Sequence, residues 1–333
     1  MYQNSIILGT GIYHPANKVD NSFFIEHFKK YDINAEKLMN YLGRNTRYLS
    51  NDENESSLSM AIEASKDAMA NAAVTPEELD MIVFVSDTPE YTSPSNALKI
   101  NHELGAVNAH IVYDMNSNCI GMLTALDQIS RYVRANTKIK KILVAGGLLI
   151  SAVEREDDVV VYPNFADSGA AIILENAAEE SPRGFIDSCY FTDSSYHNTV
   201  VMPKCGYSHI YKDNINTNEK KWSWNPFDFD FLSDRWADLI KELAETNNMV
   251  PMDIDHFIFS QFSKPDSEKT LQKLNLDMSK KTFIGDKYGY TGVTSPIFAL
   301  NSFLKDNRVK EGYNIVMISV GTGYTMVALL YKF

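Results

Sequence analysis

The residue best placed to do chemistry in this sequence is Cys119. It lies in DMNSNCIGMLTAL, residues 114–126, between a strand-like run, HIVYDM, and an apolar run of helical period. The intervening NSN is turn chemistry, so a helix over residues 119–133 would carry the thiol in its first turn. Unpaired backbone N–H groups and the positive end of the helix dipole favour a thiolate there. The same amides can hold the oxyanion of a thioester under attack. An isolated cysteine is more often a small core hydrophobe, and it is this setting that makes Cys119 a candidate nucleophile. Cys189 and Cys205 complete an odd count of three with no metal-like spacing, which indicates neither a disulfide framework nor a zinc site.

Two Gly-x-Gly segments need weighing beside it. Gly9-Thr10-Gly11 is followed by Ile-Tyr-His-Pro, and Pro15 blocks the helix that a dinucleotide fold requires at this point. Gly321-Thr322-Gly323 lies between the apolar runs NIVMISV and TMVALLYKF. It reads as a tight strand-to-strand turn, with close backbone approach to a reacting carbonyl as the functional alternative.

The elements that must position these residues alternate. SIILGTGIY, MIVFVSD, HIVYDM and KILVAGG are strand-like and rich in Val and Ile, with helical runs such as SLSMAIEASKDAMANAA between them, a pattern that predicts an α/β domain. A second series repeats the first. AMANAAVTPEELDMIVFVS matches ELAETNNMVPMDIDHFIFSQ at an offset of 175, while NCIGMLTAL matches GVTSPIFAL and KILVAGG matches NIVMISVG at 174. Three segments at nearly one offset imply two similar halves, 1–175 and 176–333. Residues 196–226 fit neither period and are rich in Asn, Lys and aromatics, as a surface lid or substrate wall would be.

With 333 residues and 44% hydrophobic content the chain can bury a large core, and its net charge of -12 argues against nucleic-acid or anionic-membrane partners. Residues 142–153, the longest uncharged apolar stretch, are well short of a membrane span, and the N-terminus lacks the marks of a secretory signal. A cytoplasmic protein is expected.

Taken in order, GTGIYHP, PSNALKINHELG, NSNCIGMLTAL, FADSGAAIIL, YGYTGVTSPIFAL and SVGTGYTMVALLY span almost the whole chain. As a set they resemble the type III β-ketoacyl-acyl carrier protein synthases of the thiolase superfamily. The resemblance implies a thiolase-like fold: two duplicated α/β halves, each with a five-stranded sheet, in a layered αβαβα body that dimerises. It implies that Cys119 takes an acyl group from a thioester. It further implies an oxyanion hole formed by Cys119 with the loop Gly321, Thr322 and Gly323. No permanently bound cofactor is implied; acyl-CoA or the phosphopantetheine of an acyl carrier protein serves as substrate carrier.

The sequence departs from the family at two positions. Ser260, in DHFIFSQFSKP, stands where the family has its histidine, and Tyr290, in KYGYTGVTS, where it has its asparagine. His256 lies four residues upstream on the same strand, about 13 Å away, and cannot replace the imidazole. Both hydroxyls can donate a hydrogen bond, but neither matches imidazole as a base near neutral pH. Each also has an ordinary reading, as a loop-capping tyrosine and a satisfied strand-end hydroxyl. Asp286 and Ser263 are weaker polar candidates, and Asp167 reads as a structural carboxylate.

At the entrance, Lys37 and Tyr41 occupy positions where the family's type members use tryptophan and arginine to hold coenzyme A. Arg44, Arg47, Lys204, Lys212, Lys220 and Lys221 could form a basic rim for an acidic carrier protein. Met122, Met202 and the aromatic excursion hint at an adaptable apolar pocket.

The first expectation is therefore a cysteine-dependent acyltransferase, in fatty-acid-like or polyketide biosynthesis. The alternatives are a decarboxylative condensing enzyme with a non-standard site, and a non-catalytic subunit paired with an active synthase in a heterodimer rather than a homodimer.

Overall fold

Apolar runs without period-two alternation need cover on both faces. The computed structural model, which describes residues 1–228, 230–306 and 309–333, supplies that cover by stacking five layers. The chain begins with β1 (Tyr2–Tyr13), β2 (Lys18–Asp20), α1 (Asn21–Lys29), α2 (Ala35–Leu42), β3 (Thr46–Tyr48) and α3 (Ser57–Ala72). There follow β4 (Met81–Val85), α4 (Asn96–Leu104), β5 (Ile111–Met115), α5 (Gly121–Ala135), β6 (Lys141–Leu148) and β7 (Ser168–Glu179). Next come β8 (Gly184–Thr192), β9 (Val200–Val201), β10 (Ser223–Trp224), α6 (Leu232–Thr246), β11 (His256–Phe259) and α7 (Lys264–Lys273). The chain closes with α8 (Gly285–Tyr288), α9 (Ser295–Lys305), β12 (Asn314–Gly321) and β13 (Thr325–Lys332).

One sheet has the order β1-β7-β6-β4-β5, and the other β11-β12-β13-β8. β4 lies parallel to both β5 and β6, and β11 parallel to β12; β7 and β13 then turn back antiparallel to β6 and β12. Helices α5 and α9 pack in one apolar core between the sheets, α3 and α4 cover the outer face of the first, and α6 and α7 that of the second. This is the duplicated αβαβα arrangement. β7 continues to Glu179, past the expected join at 175, and β8 starts at Gly184.

The second sheet departs from the expected five strands. Where the first sheet has β5, its counterpart makes a single parallel bridge between Phe257 and Lys281. The chain turns at once into α8, so no ladder develops. Among the described residues no helix is long and apolar enough to cross a membrane.

Gly9 and Gly11 serve packing. Both lie within β1, where a Cβ on Gly9 would sit 2.7 Å from the Ala72 backbone nitrogen and one on Gly11 would overlap the Ala64 carbonyl. Small residues here let the strand touch α3 backbone to backbone.

Residues 196–226 do more than cross the surface. β9 and β10 pair as a short ribbon, Trp222 N donates to Val153 O at 2.8 Å, and Val200 and Trp222 are buried. The segment is stitched to the loop between β6 and β7.

The expected basic rim is corrected at Arg44 and Arg47, which are 1% and 0% exposed. Arg44 Nη2 donates to the carbonyls of Gln261 at 2.8 Å and Phe262 at 2.7 Å, and its Nη1 reaches that of Gly285. Arg47 donates to Asn21 Oδ1 and the Pro163 carbonyl, its guanidinium 4.4 Å from the Phe24 ring centre. Burial pushes the two guanidinium groups down to about 10 and 9, so both stay charged at neutral pH. Arg44 fastens the α2–β3 turn to the segment after β11, and Arg47 fastens β3 to α1 and to the loop between β6 and β7, using charge as an internal clamp. Lys37 and Tyr41 do lie exposed on α2, with Tyr41 facing Lys269 of α7.

Two stability predictions follow from these contacts. Gly11→Ala forces β1 and α3 apart, and urea unfolding should record a loss of about 1–3 kcal/mol; an unchanged midpoint would contradict the close packing. Arg44→Met strands buried carbonyls at about 1–3 kcal/mol each, whereas Lys37→Met on the exposed helix should shift stability by less than about 0.5 kcal/mol. Equal effects of the two would return Arg44 to the surface rim.

Candidate active site

Cys119 sits at the junction of β5 and α5, but not in the helix itself. Residues Asn118–Ile120 form a separate 3-10 turn and the helix starts at Gly121. Asn118 has φ +51°, a left-handed conformation that Asn tolerates, and its N–H donates to Asn116 Oδ1 at 2.9 Å. The left-handed residue keeps the helix from extending back to 119. Ser319 Oγ, from β12, donates to the Cys119 carbonyl at 3.1 Å and ties the turn to the second sheet.

Tyr290 reaches the same place from the other half. Its N–H donates to Asn164 O at 2.9 Å and its carbonyl accepts from Ala166 N at 3.0 Å, a bridge that joins the two halves. Gly289 has φ +69°, and a Cβ there would lie 2.7 Å from that of Arg47, so glycine is required just before the tyrosine. Ser260 follows β11, and its N–H donates to Ile318 O at 2.7 Å.

Cys119, Ser260 and Tyr290, chosen from sequence, are thus brought together, all 4% exposed or less. Ser260 Oγ donates to Tyr290 Oη at 3.5 Å, at the long limit for such a bond, and the Tyr290 hydroxyl is hydrogen-bonded to the Cys119 thiol. The chain of contacts then continues to a residue that sequence reasoning missed. Cys119 Sγ donates to Asp87 Oδ2 at 3.7 Å. A signal for it was present: Asp87 stands two residues past the wholly apolar strand MIVFV, at the carboxyl end of a parallel strand, where α/β sheets carry their sites.

The thiolate expected from the helix terminus is corrected by this setting. Burial, and next the Asp87 carboxylate, push the Cys119 thiol well above its ordinary range, outweighing the Tyr290 hydrogen bond. Burial also pushes Asp87 up to about 7, and burial then the thiol raise the Tyr290 phenol. At neutral pH the resting groups are a thiol, a phenol and a carboxylate within reach of its own titration.

The thiol opens on a narrow apolar pocket. Phe165, Trp224, Phe227, Phe262 and Tyr324 supply much of its wall, and Gly321 and Thr322 line the same pocket as Cys119. Trp224 belongs to β10, so the 196–226 segment is a wall of the site. Gly321 ends β12 and pairs with Thr325 across the turn, and Gly323 adopts φ +71° within it.

The remaining candidates sit elsewhere or do structural work. His256 Nε2 lies 2.9 Å from Thr282 Oγ1 and its ring stacks on Phe303, as its place upstream on the strand requires. Ser263 caps α7 and donates to Asp266. Asp167 accepts from the backbone N–H groups of Ser50 and Ser151, fixing two turns. The Asp286 carbonyl accepts from Asn45 N, and its carboxylate helps keep Arg44 charged. Met122 is fully buried against Gly146, whereas Met202 packs on the cluster around Cys119. Lys204 pairs with Glu219, and Lys212 is exposed. Lys220 and Lys221 are half-buried. No group of three or more His, Cys, Asp or Glu placed to hold a metal occurs among the described residues.

Comparison with known proteins agrees with this geometry. Residues 113–194 match the 3-oxoacyl-[acyl-carrier-protein] synthase III family, and residues 244–333 match the C-terminal region of the same family, together just over half of the chain. A β-ketoacyl-[acyl-carrier-protein] synthase III of Clostridium perfringens is 29% identical over 331 residues, 99% of each chain. The crystal structure of 3-oxoacyl-[acyl-carrier-protein] synthase III from Aquifex aeolicus superposes with a TM-score of 0.84 at 24% identity, covering 99% of this chain and 100% of that one. The priming β-ketosynthase of the R1128 polyketide pathway gives 0.87 at 21%, covering 99% and 96%. With the thiol at the start of the central helix and the glycine turn beside it, the chain belongs to the 3-oxoacyl-[acyl-carrier-protein] synthase III family of the thiolase superfamily.

Proposed function

We propose that this protein is an acyltransferase of the ketoacyl synthase III type. Cys119 takes an acyl group from a coenzyme A or carrier-protein thioester and passes it to an acceptor, in two half-reactions. The observation that carries this reading is a thiol at the floor of an apolar pocket, with no histidine among the residues that line it.

The roles follow from that arrangement. The acyl chain lies among Phe165, Trp224 and Phe262. The carbonyl oxygen is held by the N–H of Cys119 and by the turn of Gly321, Thr322 and Gly323, where fixed donors in a dry site gain strength. Tyr290, backed by Ser260, donates to the sulfur and steadies negative charge on it as the acyl group arrives or leaves. Lys37 and Tyr41, on the exposed face of α2, meet the carrier.

Decarboxylating a malonyl thioester asks more of the site, because negative charge must be held at a second oxygen. A hydroxyl pair already engaged with the sulfur serves acyl transfer better than that task. The synthases similar to this chain favour condensation as the second reading. A preformed acceptor nucleophile would reconcile the two.

Intact-protein mass after incubation with a panel of acyl-CoA and acyl carrier protein donors tests the proposal. Wild type should gain one acyl group and Cys119→Ala none; a gain in both, or in neither across the panel, would overturn it. Tyr290→Phe deletes a hydrogen bond to a developing charge worth about 1.5–3 kcal/mol, so acylation should slow roughly 10- to 100-fold. An unchanged rate would leave the phenol a structural role.

A further inference from the structure

The Cys119 thiol is buried and no histidine lines its pocket, so the proton that leaves it needs a destination among the groups that touch the sulfur. The geometry points to Asp87 as that destination, the general base of the acylation step. The inference rests on Cys119 being the acyl carrier and goes beyond it by naming the group that activates the thiol.

Three observations carry it. Asp87 Oδ2 is the acceptor of the thiol, at 3.7 Å from Sγ. Its other oxygen, Oδ1, is buried with no hydrogen-bond partner, although the residue as a whole is only half-buried. A carboxylate kept for structure is normally satisfied on both oxygens, as Asp167 is by the Ser50 and Ser151 amides. Third, the loop that carries Asp87 is pinned on both sides of it. Ser86 Oγ donates to Gly147 O at 2.7 Å, Thr88 N donates to Ser86 Oγ at 2.9 Å, and Thr88 Oγ1 accepts from Leu149 N at 2.9 Å. The neighbours are fixed and the carboxylate itself is left available.

The charge environment agrees. The titratable groups acting on this corner are the Cys119 thiol and the Tyr290 phenol. Burial raises the carboxyl to about 7, which makes Asp87 a stronger base than an ordinary aspartate and places its working range at neutral pH.

The step balances without a co-reactant. As Sγ attacks the thioester carbonyl, the S–H bond of Cys119 breaks and its proton moves to Asp87 Oδ2 while the new S–C bond forms. The carrier's C–S bond then breaks, and its thiolate leaves with the proton from Asp87. Aspartate is returned ionised, the acyl group rests on Cys119, and the free carrier thiol departs.

The pH dependence of Cys119 reactivity tests this, read in two ways. Acylation by the best acyl-CoA donor and alkylation by iodoacetamide are each followed by intact mass from pH 5.5 to 10, in wild type, Asp87→Asn and Asp87→Glu. Wild-type rates should rise through an apparent pKa near 7, because ionisation of the pair exposes its reactive thiolate tautomer. Asp87→Asn should lose that rise and fall by at least about 100-fold at pH 7.5, with partial recovery in Asp87→Glu. Equal profiles in wild type and Asp87→Asn, or a faster Asp87→Asn, would overturn the proposal while leaving acyl transfer intact. Should every acyl donor fail, the acyl-transfer reading falls, and alkylation still decides the role of Asp87. A wild-type alkylation profile that rises only above about pH 9 would refute the base role without any variant.

Discussion

Two helices buried between two sheets set the geometry on which everything else depends. α5 and α9 are the middle layer, with the first two turns of α5 and nearly all of α9 buried because a sheet lies on each face. Neither can shift along its axis without opening a void in a close-packed core. Their first turns are therefore fixed against each other: a Cβ added to Gly121 would meet Val85 on one side and Val293, just ahead of α9, on the other. Cys119 precedes one helix and Tyr290 the other, so a packing constraint becomes a chemical contact.

That packing also decides the electrostatics. A helix terminus at a surface would favour a thiolate, but here the sulfur is removed from water and faces a carboxylate. Desolvation acts on the charged form at full strength, whereas the dipole of one short turn falls off quickly. The result is a neutral thiol that needs a base. In the absence of imidazole the hydrogen-bonded series Ser260, Tyr290, Cys119 and Asp87 is the arrangement this chain offers, with the phenol on one side of the sulfur and the carboxylate on the other.

Much of this was legible in the sequence, and the reasons for the rest are physical. Val- and Ile-rich runs at one repeat offset gave the duplicated fold, and the residues flanking Cys119 gave its place at a strand-helix junction. Ser260 and Tyr290 were found because a family resemblance specifies positions. Arg44 and Arg47 were misplaced because charge normally marks the surface, and only tertiary contacts reveal that three backbone carbonyls await one of them. Asp87 was missed because a lone carboxylate after a strand has no local pattern linking it to a cysteine 32 residues on. The fifth strand of the second sheet was expected from the family resemblance, and the early turn into α8 reduced it to one bridge.

The central proposal is that Cys119 holds an acyl group at a site whose Ser260 and Tyr290 hydroxyls serve acyl transfer rather than decarboxylation of a malonyl thioester. The most direct measurement supplies pre-acylated enzyme with malonyl carrier protein labelled in its free carboxyl group, following labelled carbon dioxide and the acyl-enzyme mass together. The account predicts a persistent acyl adduct and no release of label. Release of carbon dioxide in step with loss of the adduct would contradict it.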